Sequence, residues 1–426
     1  MPEKAAPRSC RVALVAACAF PTLQGSQLLI RRLAQGLLGR GHQVVVVTYP
    51  EGLENALAGV PVRRAPRIPG CRARGSGPRP AKLVLDAALF ATLLGVVRRE
   101  RIELLHAHNY EAALISLAAG RITGVPVIYH SHNALAEELP TYFHSRLARR
   151  LARAVGAVAD REVPRRADHC IAICRELVGF LRAHGVGDGA IDMISPGGSP
   201  DEFPARSATE VDAIRARFGF GSRPLILYTG NLDGYQNLDL LLASARLVRE
   251  AVPDTLLILA THAAPRDRPA ALRRAQPGVL LIGAPDFATT RDLLQVADVA
   301  LCPRSEWSGF PMKLLNYMAA GKAVVVSAGS AKAVCHGRNG WVVSEGSAGA
   351  YARAIVRLLT DLPLRTALGA AARHTVEDEY GWDRIIDQVE ATYGHVLVDS
   401  PPERQVAPGG TRIPHALGTA RVRGYL

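Results

Sequence analysis

The chain has 426 residues, 48% hydrophobic and 21% charged, enough for two globular domains of about 200 residues each and unlike any fibrous or low-complexity protein. Its seven cysteines (Cys10, Cys18, Cys71, Cys170, Cys174, Cys302, Cys335) show no paired metal spacing; scattered thiols suit a reducing cytosol better than a disulfide framework. The net charge of +13 is lopsided: residues 1–198 hold 26 Lys+Arg against 15 Asp+Glu (+11), residues 199–426 hold 25 against 23 (+2), so the first half is expected to meet something anionic.

In chain order, Lys4, Arg8 and Arg11 precede VALVAAC, which mimics a lipoprotein signal ending at Cys18. The apolar run is short for a leader and leads directly into a loop and helix, so it reads as a first β-strand. Further apolar runs, HQVVVVTY, ELLHAH, PVIYHSH and HCIAIC, alternate with helical patterns such as Ser26–Gly39. Runs apolar on both faces are central strands of a parallel sheet. The run Leu83–Val97 is apolar except for Asp86 and falls short of the roughly 20 residues that span a bilayer. No transmembrane helix is expected.

The pattern restarts at PLILYTG (224–230) and continues through TLLILA, VLLIGA, VALCP and AVVVSA. The Pro-, Gly- and Ser-rich stretch 195–210 makes the link between two domains, 1–198 and 199–381. A helix over 382–398 follows, and the aperiodic residues 399–426 read as a disordered tail. Two doubly wound domains facing each other put a ligand cleft at the carboxyl ends of both sets of strands.

Candidate site residues cluster at those strand ends. Gln24-Gly25-Ser26 forms a tight turn at a helix start, with Ser26 a candidate N-cap. His106 and His108, then His130 and His132, project in pairs from two strand ends. Four imidazoles raise the question of a metal, but no acidic cluster or Cys spacing supports one. His132, at the extreme strand end, reads as a cleft residue, whereas His106 and His130 read as hydrogen-bonded core. Gly230 ends a strand, and the loop after it offers Asn231 and Gln236, which can bond phosphate oxygens without neutralising them.

The stretch SEWSGFPMKLLNYMAAG (305–321) reads as an anion-binding helix start: Ser308 as N-cap, Gly309 and Phe310 with free N–H groups, Pro311 in the first turn. Lys313 stands out because the chain has 46 Arg and only five Lys. Where Arg is the default cation, a lysine here suggests a need for a compact ammonium.

Taken together with ISPGGSPDEF, YTGNLDGYQN and NGWVV, these motifs in this order resemble a retaining nucleotide-sugar glycosyltransferase of family 4, over about residues 10–398. The resemblance implies the GT-B fold, two Rossmann-like domains across a cleft. The first domain would take the acceptor and the second the nucleotide diphosphate, and the helix around Trp382 would cross back to the first. It implies transfer with retention, no cofactor and no metal, in keeping with the absence of Asp-x-Asp.

By the same resemblance, Gly25 matches a glycine near the phosphates and His132 the histidine that contacts the donor sugar. The family's diphosphate-gripping Arg and Lys fall on Asn231 and Gln236, and its paired glutamates on Ser308 and Asn316. All four positions depart from that pattern. Lys313, with Arg304, is expected to replace the missing cations; Asn316 would bond a ribose hydroxyl, Ser308 a sugar hydroxyl, and Glu306 partly replace a glutamate.

On the acceptor side, Arg146, Arg149, Arg150 and Arg153 share one helical face, with Leu147, Leu151, Ala154, Val155 and Val158 on the other. A second basic segment, 62–82, carries Arg63, Arg64, Arg67, Arg72, Arg74, Arg79 and Lys82. Both favour peripheral membrane contact or an anionic, lipid-linked acceptor; the plainer alternative is a helix packed on the sheet with a solvated arginine face. These readings place the chain in the cytoplasm or at the inner face of the plasma membrane. Nucleic acid is not an expected partner, because no aromatic stacking platform accompanies the basic segments. Competing readings are a nucleotide-sugar epimerase or a phosphorylase on the same scaffold, or a non-catalytic paralogue.

Overall fold

The computed structural model describes residues 9–21, 25–52, 59–71, 77–262, 272, 276–284, 286–305 and 307–399. The tail from 400, Glu306, Gln24, Lys4, Arg8, Arg72 and Arg74 lie outside the described residues.

The first sheet holds β1 (Arg11–Ala16), β2 (Gln43–Thr48), β3 (Val62–Arg64), β4 (Leu104–His108), β5 (Val127–Ser131), β6 (His169–Ala172) and β7 (Ile191–Met193), in the order β3-β2-β1-β4-β5-β6-β7. The second holds β8 (Leu225–Thr229), β9 (Leu256–Thr261), β10 (Val279–Gly283), β11 (Val299–Cys302), β12 (Ala323–Ser327) and β13 (Trp341–Val343), in the order β10-β9-β8-β11-β12-β13. Every pairing is parallel. In each sheet the order reverses beside the first strand, at β1/β4 and at β8/β11, and such switch points open a crevice at the carboxyl ends of the strands. The apolar runs explain this directly: β1, β4 and β8 are buried along nearly their whole length, so both faces must be covered by helices.

The chain crosses between the sheets twice, and the crossings touch. Gly198 donates its N–H to the Tyr380 carbonyl at 2.8 Å and bridges Gly381. The helix Trp382–Asp399 then returns to the first sheet. There Ile386 packs on Gly36, where a Cβ would approach to 2.5 Å. Glu390 bonds His42 at 2.9 Å, Tyr393 bonds His106 at 2.6 Å, and Thr392 bonds Asp192 at 2.6 Å.

One expectation is corrected, and one alternative reading is set aside. The apolar run 83–97 belongs to a 20-residue helix, Pro80–Arg99, long and apolar enough to cross a membrane by length and composition. Its Leu85, Leu89, Leu93, Val96 and Val97 are nevertheless buried in the first core. The arginine-rich helix, Arg146–Glu162, does not rest its leucines on the sheet. It docks through Ala152, Gly156 and Asp160, leaving Leu147, Leu151, Val155 and Val158 between 54% and 78% exposed. A Cβ on Gly156 would come within 2.6 Å of the Ala136 backbone. Fully buried Asp160 accepts from the N–H groups of Leu135 and Ala136 at 2.8 and 2.9 Å and from the Tyr110 hydroxyl. A small-residue seam anchored by a buried carboxylate outcompetes the leucine stripe because it lets the two backbones approach closely.

Candidate active site

The carboxyl ends of both sheets enclose one cleft of about 990 Å³, lined from the first sheet by Gly25, Ser26, His108 and His132 and from the second by Gly230, Asn231, Arg304, Ser308, Gly309, Phe310, Pro311, Lys313 and Asn316. Two helix starts meet across it. The first helix begins at Gly25, and a Cβ there would sit 2.9 Å from Cγ of Met312, the first residue of the helix Met312–Ala319. Glycine is required by this close approach.

The anticipated helix start at Gly309 is displaced. The helix begins at Met312 with Pro311 as its N-cap and no side-chain cap. Gly309 has φ +83° and sits against the His132 carbonyl, 3.1 Å from a built Cβ, a left-handed conformation incompatible with helix. Ser308 is therefore not an N-cap; it is buried, and its carbonyl accepts from the Arg304 guanidinium. Ser26 is likewise inside its helix and bonds Gln27. Phe310 and Pro311 are buried, while Asn316 is only partly so and lies on the cleft wall.

Lys313, at the second helical position, reaches back to the loop after β8. Its ammonium donates to Gln236 Oε1 at 2.9 Å and lies 3.9 Å above the centre of the Tyr228 ring. Gly230, at φ +129°, leaves room for it: a Cβ would stand 3.0 Å from Nζ. Gln236 Nε2 in turn donates to Asn231 Oδ1 at 2.7 Å, and Asn231 Nδ2 donates to Asp233 and Tyr235 at 2.6 and 2.7 Å. Gln236 is thus buried and committed to protein partners, where the sequence suggested phosphate. Arg304 stacks over Tyr235 at 5.2 Å.

Burial depresses the Lys313 ammonium to a pKa of about 7, with Arg304 pushing it further down while Cys302 and Asp233 oppose. Burial raises the Asp233 carboxyl and the Tyr235 hydroxyl above their ordinary values. A lysine poised near neutrality, held by a neutral amide rather than a carboxylate, can accept an incoming anion without first breaking an ion pair.

The four histidines form one cluster on the opposite wall, with His106 stacked on His108 and His130 and with His132 edge-on to His108. His106 lies 4.6 Å from His108 and 5.0 Å from His130, ring centre to ring centre, and His108 lies 4.9 Å from His130. His106 Nε2 meets His130 Nδ1 at 2.9 Å, and His108 Nδ1 meets His132 Nε2 at 3.1 Å. Ligating nitrogens of His106, His108 and His130 lie within 4.8 Å of one another, but both nitrogens of His106 already have hydrogen-bond partners and the rings stack instead of converging. Burial lowers all four pKa values, His132 to about 4 and His106 to about 3. All are neutral at pH 7.

Several site residues carry no sequence signal. Tyr317 accepts from the Thr229 N–H at 2.8 Å and ties the Lys313 helix to β8. Trp307 packs against Phe180 of the first domain at 5.7 Å. Buried Lys332 bridges Glu176 at 2.8 Å and the Trp307 carbonyl at 2.6 Å, joining the two halves. Only the rarity of lysine could have singled out Lys332 in advance.

This geometry has relatives. The model of the glycosyl transferase 4-like domain matches residues 24–197, and that of glycosyl transferases group 1 matches residues 223–361. The D-inositol 3-phosphate glycosyltransferase of Streptomyces scabiei is 26% identical over 406 residues, 88% of this chain and 87% of that protein. Sucrose-phosphate synthase from Thermosynechococcus elongatus superposes with a TM-score of 0.78 at 19% identity, covering 92% of this chain and 100% of that one. Anabaena HepE, in complex with UDP and glucose, does so with a TM-score of 0.74 at 16% identity, covering 91% and 100%. With both domain models matched in order along two facing parallel sheets, the chain belongs to the GT4-type glycosyltransferases and has their GT-B fold.

Proposed function

We propose that the protein moves a hexosyl group, with retention and without a metal, from a nucleotide-diphosphate sugar to a hydroxyl acceptor. The observation that carries this reading is the Lys313–Gln236–Asn231 array beside Gly230 and the helix start at Met312. It offers a cation, oriented amides and helical N–H groups at the place where charge develops on a departing diphosphate. The UDP held by HepE lends support to a nucleotide donor.

Asn316 would meet a ribose hydroxyl and His132 the transferred sugar. Arg304, also on the cleft wall, supports the loop through the Ser308 carbonyl. The acceptor would enter along the first domain, where Tyr49 bonds Asp86 and Lys82 bonds Glu111 at the cleft edge. The exposed Leu147, Leu151, Val155 and Val158 beside exposed Arg146, Arg149, Arg150 and Arg153 fit an anionic membrane surface. That fit supports the reading of a transferase for lipid-linked glycan or surface polysaccharide working at the cytoplasmic membrane face.

A thermal-shift titration with UDP, GDP and ADP tests the donor site: stabilisation by one of them, lost in Lys313→Ala, is expected. No shift with any would favour the second reading, a non-catalytic paralogue, which the neutral side chains of Ser308 and Asn316 support.

A further inference from the structure

We propose that His108 is a positioning residue that fixes the tautomer of His132, so that His132 meets the cleft as a neutral hydrogen-bond donor through Nδ1–H. Only the catalytic consequence rests on the transferase reading; the tautomer itself does not.

The argument begins with two buried nitrogens. Nε2 of His108 and Nε2 of His130 are enclosed and have no hydrogen-bond partner among the described residues. Both rings are 1% exposed and neutral at pH 7, and a neutral imidazole carries one N–H and one bare nitrogen. A proton on His108 Nε2 would bury a donor with nothing to receive it, at about 1–3 kcal/mol, and waste Nδ1 as an acceptor. The proton therefore sits on Nδ1 and is donated to His132 Nε2, 3.1 Å away.

His132 Nε2 then accepts and cannot carry the proton. Because His132 is neutral as well, its proton must be on Nδ1, since the hydrogen bond at one ring nitrogen dictates the state of the other. No group among the described residues bonds His132 Nδ1, and the residue lines the cleft. The same logic runs through the second pair. His130 donates Nδ1–H to His106 Nε2, and His106 donates Nδ1–H to the Tyr393 hydroxyl. Every proton in the cluster is thus assigned by two orphaned nitrogens. The His132 ring is held by its hydrogen bond to His108 and by the His130 ring, 4.8 Å away between centres.

A donor without charge suits a sugar hydroxyl or ring oxygen, since it does not compete with Lys313 for the diphosphate. The test is a long-range proton–nitrogen correlation spectrum of the full chain labelled with 15N-histidine, with His132→Asn for assignment. His132 is expected to show a protonated Nδ1 and a bare Nε2; the reverse would overturn the proposal, whatever the activity.

Two variants extend the test. His108→Asn keeps an N–H at the Nδ1 position and should retain both spectrum and turnover. His108→Asp replaces the donor with an acceptor, so His132 should switch to Nε2–H and kcat for sugar transfer fall by about tenfold, with diphosphate affinity unchanged. If folded His108→Asp leaves tautomer and kcat as they were, His108 does not set the state of His132. If the chain transfers no sugar at all, the function proposed above fails while the spectrum still decides this point.

Discussion

The two walls of the cleft solve opposite problems. The first-domain wall buries three imidazoles behind His132 at the cleft and keeps all four neutral, offering directional hydrogen bonds without charge. The second-domain wall carries Lys313, whose ammonium is steadied by an amide and an aromatic face instead of a hydrogen-bonded carboxylate. One side is built to orient, the other to receive negative charge. Burial acts on both walls: it strips the charge from the imidazoles but lowers the lysine only to near neutrality, where an arriving anion can restore it.

Acid should break this contrast from the histidine side, with the largest effect. An unfolded histidine binds its proton near pH 6.5, while His132 and His106 resist until about pH 4 and 3. Stability contributed by their neutral state is therefore complete above pH 6.5 and lost as pH falls below it, by up to about 1.4 kcal/mol per pH unit for each histidine. Urea unfolding between pH 7 and 5 should show the decline. His130→Leu, which removes one such group, should flatten it.

Lys313→Ala breaks the other wall. Loss of a charged hydrogen bond of about 1.5–3 kcal/mol should weaken nucleotide-diphosphate binding roughly tenfold to a hundredfold, measured by calorimetry at low salt. Unchanged affinity would remove Lys313 from the site. Gln236→Leu sharpens the comparison: without its acceptor the ammonium is harder to keep charged, and affinity at pH 8 should fall about fivefold, a loss of about 1 kcal/mol.

The smallest effect on the cleft itself should come from outside it. Leu147→Gln with Leu151→Gln alters exposed side chains, so stability should stay within about 0.5 kcal/mol. Co-sedimentation with anionic liposomes should nevertheless be lost, and binding by the unaltered chain should weaken as salt rises. No binding even at low salt would remove the membrane role.

How far the sequence could be read follows from what each feature depends on. Strands such as β1, β4 and β8 announce themselves as apolar runs, and with the order of the motifs they make the two-sheet fold legible. Gly25, His132, Gly230 and Lys313 were legible as cleft residues because they stand at strand ends or helix starts. Their partners were not. Nothing in the spacing of Gln236 and Lys313 says that they bond each other across 77 positions, and Ser308 has the right chemistry for an N-cap that the left-handed Gly309 forbids. In the helix Arg146–Glu162 the leucine stripe was legible, but not the seam through which the helix docks while that stripe stays exposed. The quieter signal was Gly156 and Asp160, four residues apart, a small residue and a carboxylate that only close backbone packing explains.

The central claim is that Lys313 is the cation that receives the diphosphate. With a pKa of about 7 in the free protein, it is mostly neutral at pH 8, and an arriving diphosphate should restore its proton. Calorimetry of binding the stabilising nucleotide diphosphate at pH 8, in two buffers of different ionisation enthalpy, should show uptake of nearly one proton, shrinking toward none at pH 6 and absent in Lys313→Ala. Tight binding with no proton uptake at pH 8 would contradict the account, because the charge meeting the phosphates would then come from elsewhere.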